Sequence, residues 1–94
     1  MSIRFISYGK KLNNLKISVE RELIGSEYST FKEKIVCGDT LLLMCESKVW
    51  GHAIAESEIR YETELIWPDK RYPYRAKLKD ITIYSKPFNL ALYG

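Results

Sequence analysis

The residues with the most chemical potential lie in the last third of the chain. Trp67, Tyr72 and Tyr74 stand among Lys70, Arg71, Arg75, Lys77 and Lys79. Aromatic faces stack on nucleobases and Lys/Arg heads neutralise phosphates, so this interleaving suits recognition of single-stranded or flipped bases. The same residues fit a plainer role, with Tyr74 and Trp67 in a core and the cations solvating a strand.

Constellations for catalysis are sparse. His52 is the only histidine in the sequence, and it has no cysteine or histidine neighbour at metal-ligand spacing. No nucleophile motif accompanies it, so it reads as structural and the chain as a non-enzyme. Cys37 and Cys45 flank Gly38-Asp39 and are expected to serve as small buried hydrophobes. Two cysteines are too few for a disulfide scaffold or a zinc site and point to a reducing, cytoplasmic setting. Glu56, Glu58, Glu62 and Glu64 lack the glycine and ligand pattern of a calcium loop and read as a solvated acidic edge. There is no glycine-rich phosphate loop. The expectation is therefore no metal and no cofactor.

These residues must be positioned by one small body. The 94 residues, 46% of them hydrophobic, suit a single domain over residues 1–94 with a modest core. The longest uncharged apolar run, Thr40 to Cys45, falls far short of the roughly 20 residues that cross a bilayer, so no membrane partner is expected. No apolar leader follows Met1-Ser2-Ile3-Arg4, and secretion is not expected. The net charge of +3 is unevenly placed: residues 1–36 carry +3, residues 37–69 carry −5 and residues 70–94 carry +5. Such a distribution either offers anions a basic face or makes an ordinary mixed surface.

The elements read as mostly β. Ile3–Ser7 is a first strand, closed by Tyr8-Gly9-Lys10. From Lys11 to Val19, Asn13 and Asn14 weaken a helical pattern, which suggests a helical turn leading into an extended connection. Leu23-Ile24-Gly25-Ser26 is a short apolar segment, followed by a polar loop through Thr30 and Lys34. After the Cys37-Gly38-Asp39 turn, Thr40–Cys45 reads as a strand buried on both sides. Glu46-Ser47 turns the chain into a strand from Lys48 to Glu56. Its small residues Val49, Gly51, Ala53 and Ala55 suit the inside of a tightly curved sheet. The last strand opens at Tyr72-Pro73-Tyr74 and runs to about Tyr84. Tyr74, Ala76 and Leu78 take one face, with Arg75, Lys77 and Lys79 on the other. Near Asp80 either a bulge intervenes or two strands meet. The tail from Pro87 to Tyr93 is expected to pack back on the body. The fold class is α+β, mainly β: a small curved sheet or β-barrel with short flanking helices.

Three blocks resemble the PUA-like superfamily, in particular its EVE branch and the related YTH domains. They are Cys37-Gly38-Asp39-Thr40-Leu41-Leu42-Leu43, Val49-Trp50-Gly51-His52-Ala53-Ile54-Ala55-Glu56, and Ile66-Trp67-Pro68-Asp69-Lys70-Arg71-Tyr72-Pro73-Tyr74-Arg75-Ala76-Lys77-Leu78. The resemblance implies a small barrel that takes one base of RNA or DNA, often a modified one, into a pocket. It places Ser7 and Tyr8, Ile24, Gly25 and Ser26, and Trp67 around that pocket, with Trp67 stacking on the base. Lys70, Arg71, Arg75 and Lys77 become the expected phosphate contacts. Related modules also sense modified DNA in McrBC-like restriction systems, which implies a possible effector protein. The sequence departs from the family at Ile24, where an aromatic usually stands, and isoleucine supplies no π face for a methyl cage. The other reading keeps the barrel but makes it a protein-interaction or small-ligand-binding domain.

Overall fold

The computed structural model of the chain describes residues 2–89. In chain order the elements are β1 (Ile3–Ser7), α1 (Leu12–Arg21), β2 (Leu23–Ser26), α2 (Phe31–Lys34), β3 (Thr40–Cys45), β4 (Lys48–Ala55), β5 (Arg60–Tyr61) and β6 (Tyr74–Asn89). The strands form one mainly β sheet in the order β1-β3-β4-β6-β2, with β5 also paired to β6. The sheet curls strongly into a half-barrel. Among the described strands only β1 and β3 run parallel; the other pairs are antiparallel.

Residue size sets this curvature. In β4, Val49, Gly51, Ala53 and Ala55 all face inward and are buried, while Trp50, His52 and Ile54 are half-buried on the other face. Small inward side chains let neighbouring strands bend sharply toward the core. At Gly51 the approach is closest, because a Cβ there would collide with the Thr82 carbonyl oxygen of β6. β3 alternates fully buried Leu41, Leu43 and Cys45 with half-buried Thr40, Leu42 and Met44. One of its faces is thus only partly covered, unlike the two-sided burial its composition suggests. Cys45 lies in the core as expected, but Cys37 is exposed, its thiol donating to the Glu56 carbonyl at 3.3 Å.

Turns and bulges account for the rest of the sheet. Glu46 and Ser47, at φ 54° and 64°, join Cys45 to Lys48 in a two-residue hairpin of the left-handed type that matches strand twist. β6 is one continuous strand with a bulge, which decides between the two alternatives at Asp80. Lys79 pairs with Ile54 and Thr82 with His52, so β6 carries one extra residue there, with Asp80 at φ 50°. A wider irregularity lies between the Gly51–Ile83 and Val49–Phe88 pairs. It accommodates Pro87, which has no N–H for a ladder. Pro87, Phe88 and Asn89 thus belong to β6, and the remainder of the expected tail, Leu90 to Tyr93, lies outside the described residues.

The largest difference from expectation is α1, a ten-residue helix rather than a turn and an extended connection. Leu15 enters the core, and the polar residues Asn14 and Ser18 are buried beside it. Both have tertiary partners: Asn14 Nδ2 donates to Asp69 at 2.9 Å, and Ser18 Oγ accepts from the Trp67 indole N–H at 3.3 Å. Tertiary contacts therefore outweigh the low helix propensity of asparagine and serine. The helix ends at Glu22 in the left-handed conformation, whose N–H caps the Ser18 and Val19 carbonyls. α2 adds a single turn where a loop was expected. Among the described residues, no helix is long and apolar enough to cross a membrane.

Candidate functional site

Among the described residues, β1 and β2 are the edge strands of the half-barrel and do not pair with each other, and a cavity of about 280 Å³ opens between them. Its lining comes from Ile6 to Lys11, from Asn14 of α1, from Gly25 of β2, and from Trp67 and Tyr72 of the segment before β6.

Hydrogen-bond parity aims backbone groups into this gap. Thr40 N–H donates to the Ser2 carbonyl, and Tyr8 N–H donates to the Met44 carbonyl. Even-numbered residues of β1 therefore turn their peptide groups to β3, and Ser7 turns its N–H and C=O to the open edge. On β2, Leu78 N–H donates to the Glu22 carbonyl. That makes Ile24 and Ser26 the bonded positions and leaves the peptide groups of Gly25 facing outward. Ser7 and Gly25 both line the cavity, so each turns one donor and one acceptor to a strand edge that no other described strand pairs.

The aromatic wall is built around a covered tryptophan. Trp67 is only 2% exposed. Gly25 packs against its six-membered ring so closely that a Cβ would lie 2.8 Å from Cη2 and Cζ3. Tyr72 stands perpendicular to it, ring centroids 5.6 Å apart. The Arg75 guanidinium lies over the indole at 5.4 Å. Trp67 thus borders the cavity as part of its wall, and the half-buried residues Tyr8 and Tyr72 line it as well. Tyr72 adopts φ 48°, a costly conformation for a bulky residue. It is held there by its hydroxyl, which donates to Asp69 at 2.6 Å, and by its carbonyl, which accepts from Arg75 Nε at 3.1 Å.

Asp69 gathers the polar groups at the rim. It accepts from Lys11 Nζ at 2.7 Å, from Asn14 Nδ2 at 2.9 Å and from the Tyr72 hydroxyl. Partial burial opposes its charge, but the hydrogen bonds from Lys11, Tyr72 and Asn14 win and hold the carboxyl well below the usual carboxylate range. The bond to Asp69 also raises the Lys11 ammonium above its ordinary value. Deeper in, burial pushes the Tyr8 phenol up to about 12, and its hydroxyl has no hydrogen-bond partner among the described residues.

The structure brings together some of the expected site residues and separates others. Ser7, Tyr8, Gly25 and Trp67 line the cavity; Ile24 and Ser26 do not. Ile24 is fully buried, because its pairing with Ala76 turns the side chain into the core. Ser26 lies at the far end of β2 opposite Tyr74, where its hydroxyl accepts from Tyr28 N–H. Among the expected phosphate contacts, Lys70, Arg71 and Lys77 are exposed. Lys70 is paired with Glu27 at 2.9 Å, and Arg71 donates to the Thr63 carbonyl. Arg75 is a correction: it is 1% exposed. Its fork donates to the carbonyls of Glu64, Arg71 and Tyr72, which fixes the segment that carries Trp67 and removes the charge from the surface. The cations beside the cavity are instead Lys10 and Lys11. The sequence reads Lys10 as the end of a turn and Lys11 as the start of a helical turn; their succession directly after Gly9, at a strand end, was the available signal.

His52 sits on the outer face of β4, its Nδ1 2.6 Å from the Tyr84 hydroxyl, away from the cavity lining. No group of three His, Cys, Asp or Glu side chains gathers among the described residues. Compared with known proteins, the chain matches no family model and no curated protein.

Proposed function

We propose that the chain is a non-enzymatic nucleic-acid reader that admits one base, modified or unmodified, into the cavity between β1 and β2. The observation that carries this reading is the convergence of two strand edges that no other described strand pairs, at Ser7 and Gly25, with aromatic walls and two lysines around one small cavity. A planar heterocycle has donors and acceptors on its rim and π faces above and below. Peptide groups at Ser7 and Gly25 would meet the rim, while Tyr8 and Tyr72 would meet the faces. Lys10 and Lys11 stand at the mouth, where the phosphates of an extruded nucleotide would lie. α1 begins there as well, with Lys11 at its N-cap and no side-chain cap, so its uncapped first turn adds positive potential. The PUA-like resemblance of the sequence points the same way.

The test is binding of labelled single- and double-stranded oligonucleotides, with and without a modified base, at two salt concentrations. Affinity is expected to fall steeply with salt, and the Lys10→Ala/Lys11→Ala double variant should flatten that slope. Tyr72→Ala should weaken binding by about 1–3 kcal/mol through lost stacking. Trp67→Ala is the poorer probe, since emptying a buried indole costs about 3–5 kcal/mol of stability by itself. Salt-indifferent binding, or none, would remove the reading. A second apolar hollow, between Leu12, Leu15 and Val19 of α1 and Trp50 and Ile83 of the sheet, favours the alternative of a protein-interaction domain. That alternative predicts association that salt leaves unchanged.

A further inference from the structure

The rim of the cavity is asymmetric in its hydrogen-bonding character. Three side-chain donors stand around it: the Asn14 amide, the Lys11 ammonium and the Tyr72 hydroxyl. All three are turned to one acceptor, Asp69, at 2.9, 2.7 and 2.6 Å. A carboxylate accepts and cannot donate. It therefore fixes which end of the Asn14 amide faces it: the nitrogen gives one of its two N–H groups to Asp69, and the oxygen must point the other way. Asn14 is 6% exposed and lines the cavity. Its Oδ1 takes no hydrogen bond from the described residues and is not sealed in the interior, so an open acceptor remains on this side chain, at the wall of the cavity. The Tyr72 hydroxyl gives its proton to Asp69 and likewise keeps only acceptor capacity, part of it used by Lys11 at 3.4 Å. Asp69 thus takes up the Tyr72 proton and one Asn14 N–H, and leaves Asn14 Oδ1 and the Tyr72 oxygen as acceptors on this side of the cavity.

We propose that this arrangement selects the class of base: Asn14 Oδ1, aimed by Asp69, accepts from an exocyclic amino group, so the cavity prefers amino-bearing bases over their keto counterparts. Asn14 is the contacting residue and Asp69 the positioning residue. The inference rests on the base-pocket reading above and adds the chemistry of the base that it takes. The physical basis is the cost of an unmet acceptor. A keto oxygen placed against Asn14 Oδ1 sets two acceptors face to face, and neither regains the hydrogen bond that it had in water.

The experiment uses the full chain and labelled single-stranded oligonucleotides that differ at one central position. Cytosine is compared with uracil and adenine with hypoxanthine, each pair exchanging an amino group for a keto group on the same ring system; an abasic site completes the set. The amino member of each pair is expected to bind about tenfold more tightly. Asp69→Asn removes the obligate acceptor, frees the Asn14 amide to turn over, and should bring both ratios to about one, whatever it does to absolute affinity. Asn14→Leu keeps the side-chain size without the acceptor, and should also abolish the ratios if Asp69→Asn does not fold. A loss of stability alone would lower binding to all oligonucleotides together and leave the ratios intact. Equal affinity within both pairs, with the abasic oligonucleotide weaker, overturns the proposal and leaves the base-pocket reading standing. Abasic binding as tight as the rest overturns both.

Discussion

Gly25→Ala isolates the contact on which the cavity wall depends. A methyl group at this position would lie 2.8 Å from two carbons of the Trp67 ring and 2.8 Å from the Tyr72 carbonyl oxygen. Carbon atoms prefer separations of about 3.5–4.0 Å, so the overlap with the indole is roughly 0.7–1.2 Å. Neither neighbour yields easily. The indole is buried and hydrogen-bonded to Ser18, and the carbonyl is held by Arg75. Overpacking of this kind costs about 1–3 kcal/mol. Alanine recovers about 0.4–1 kcal/mol by restricting the unfolded chain, which leaves a net loss of about 1–2 kcal/mol. For a domain of this size that corresponds to a fall in Tm on the order of 5–15 °C. The assay is thermal and urea unfolding of Gly25→Ala, Trp67→Phe and the double variant. Phenylalanine lacks the outer ring atoms that the methyl would strike, so the double variant should be more stable than the sum of the single effects by about 1 kcal/mol. Wild-type stability in Gly25→Ala, or strict additivity in the cycle, would refute the packing argument.

Three further outcomes follow from other parts of the molecule. Ser47 occupies a left-handed position at φ 64°, so Ser47→Gly should stabilise the chain by roughly 1 kcal/mol, read as a higher urea midpoint with an unchanged slope. Asp69 has its folded pKa lowered by Lys11, Tyr72 and Asn14 against the effect of burial; its contribution is present above the unfolded value of about 3.9 and lost as pH falls below it. Asp69→Asn should therefore be less stable than wild type at neutral pH, with a flatter acid limb below about pH 4 in pH-dependent melts. Burial raises Tyr8 to about 12, so its contribution holds below the ordinary tyrosine value near 10 and is lost as pH rises through 12. Tyr8→Phe should remove that alkaline limb without lowering stability at pH 7, since the lost hydroxyl has no partner among the described residues.

Much of the sheet was legible because its signals are local. The row of small residues in β4, the Glu46-Ser47 turn and the change of alternation near Asp80 each report their structure within a few positions. α1 was not, because Asn14 and Ser18 are justified only by Asp69 and Trp67, more than forty positions away. Arg75 misled for the same reason. Its alternation with Lys77 and Lys79 places it on an outer face, and only the return of the segment around Glu64 and Arg71 buries it. In the site, Ser7, Tyr8, Gly25 and Trp67 were found through the resemblance. Tyr72 stands out among the aromatics interleaved with cations, whereas Lys10, Lys11 and Asn14 emerge only when α1 and the segment before β6 meet across the gap.

That gap also has a thermodynamic role. Its walls belong to segments that are remote in sequence and joined by no strand pairing between β1 and β2. A ligand seated there would act as a removable brace, binding the closed arrangement and not the unfolded chain. By mass action, occupancy at a hundred times the dissociation constant adds about 2.7 kcal/mol to stability. Melting temperature would then report occupancy directly, so that any oligonucleotide or small heterocycle that spans the two edges declares itself as a heat-resistant fold.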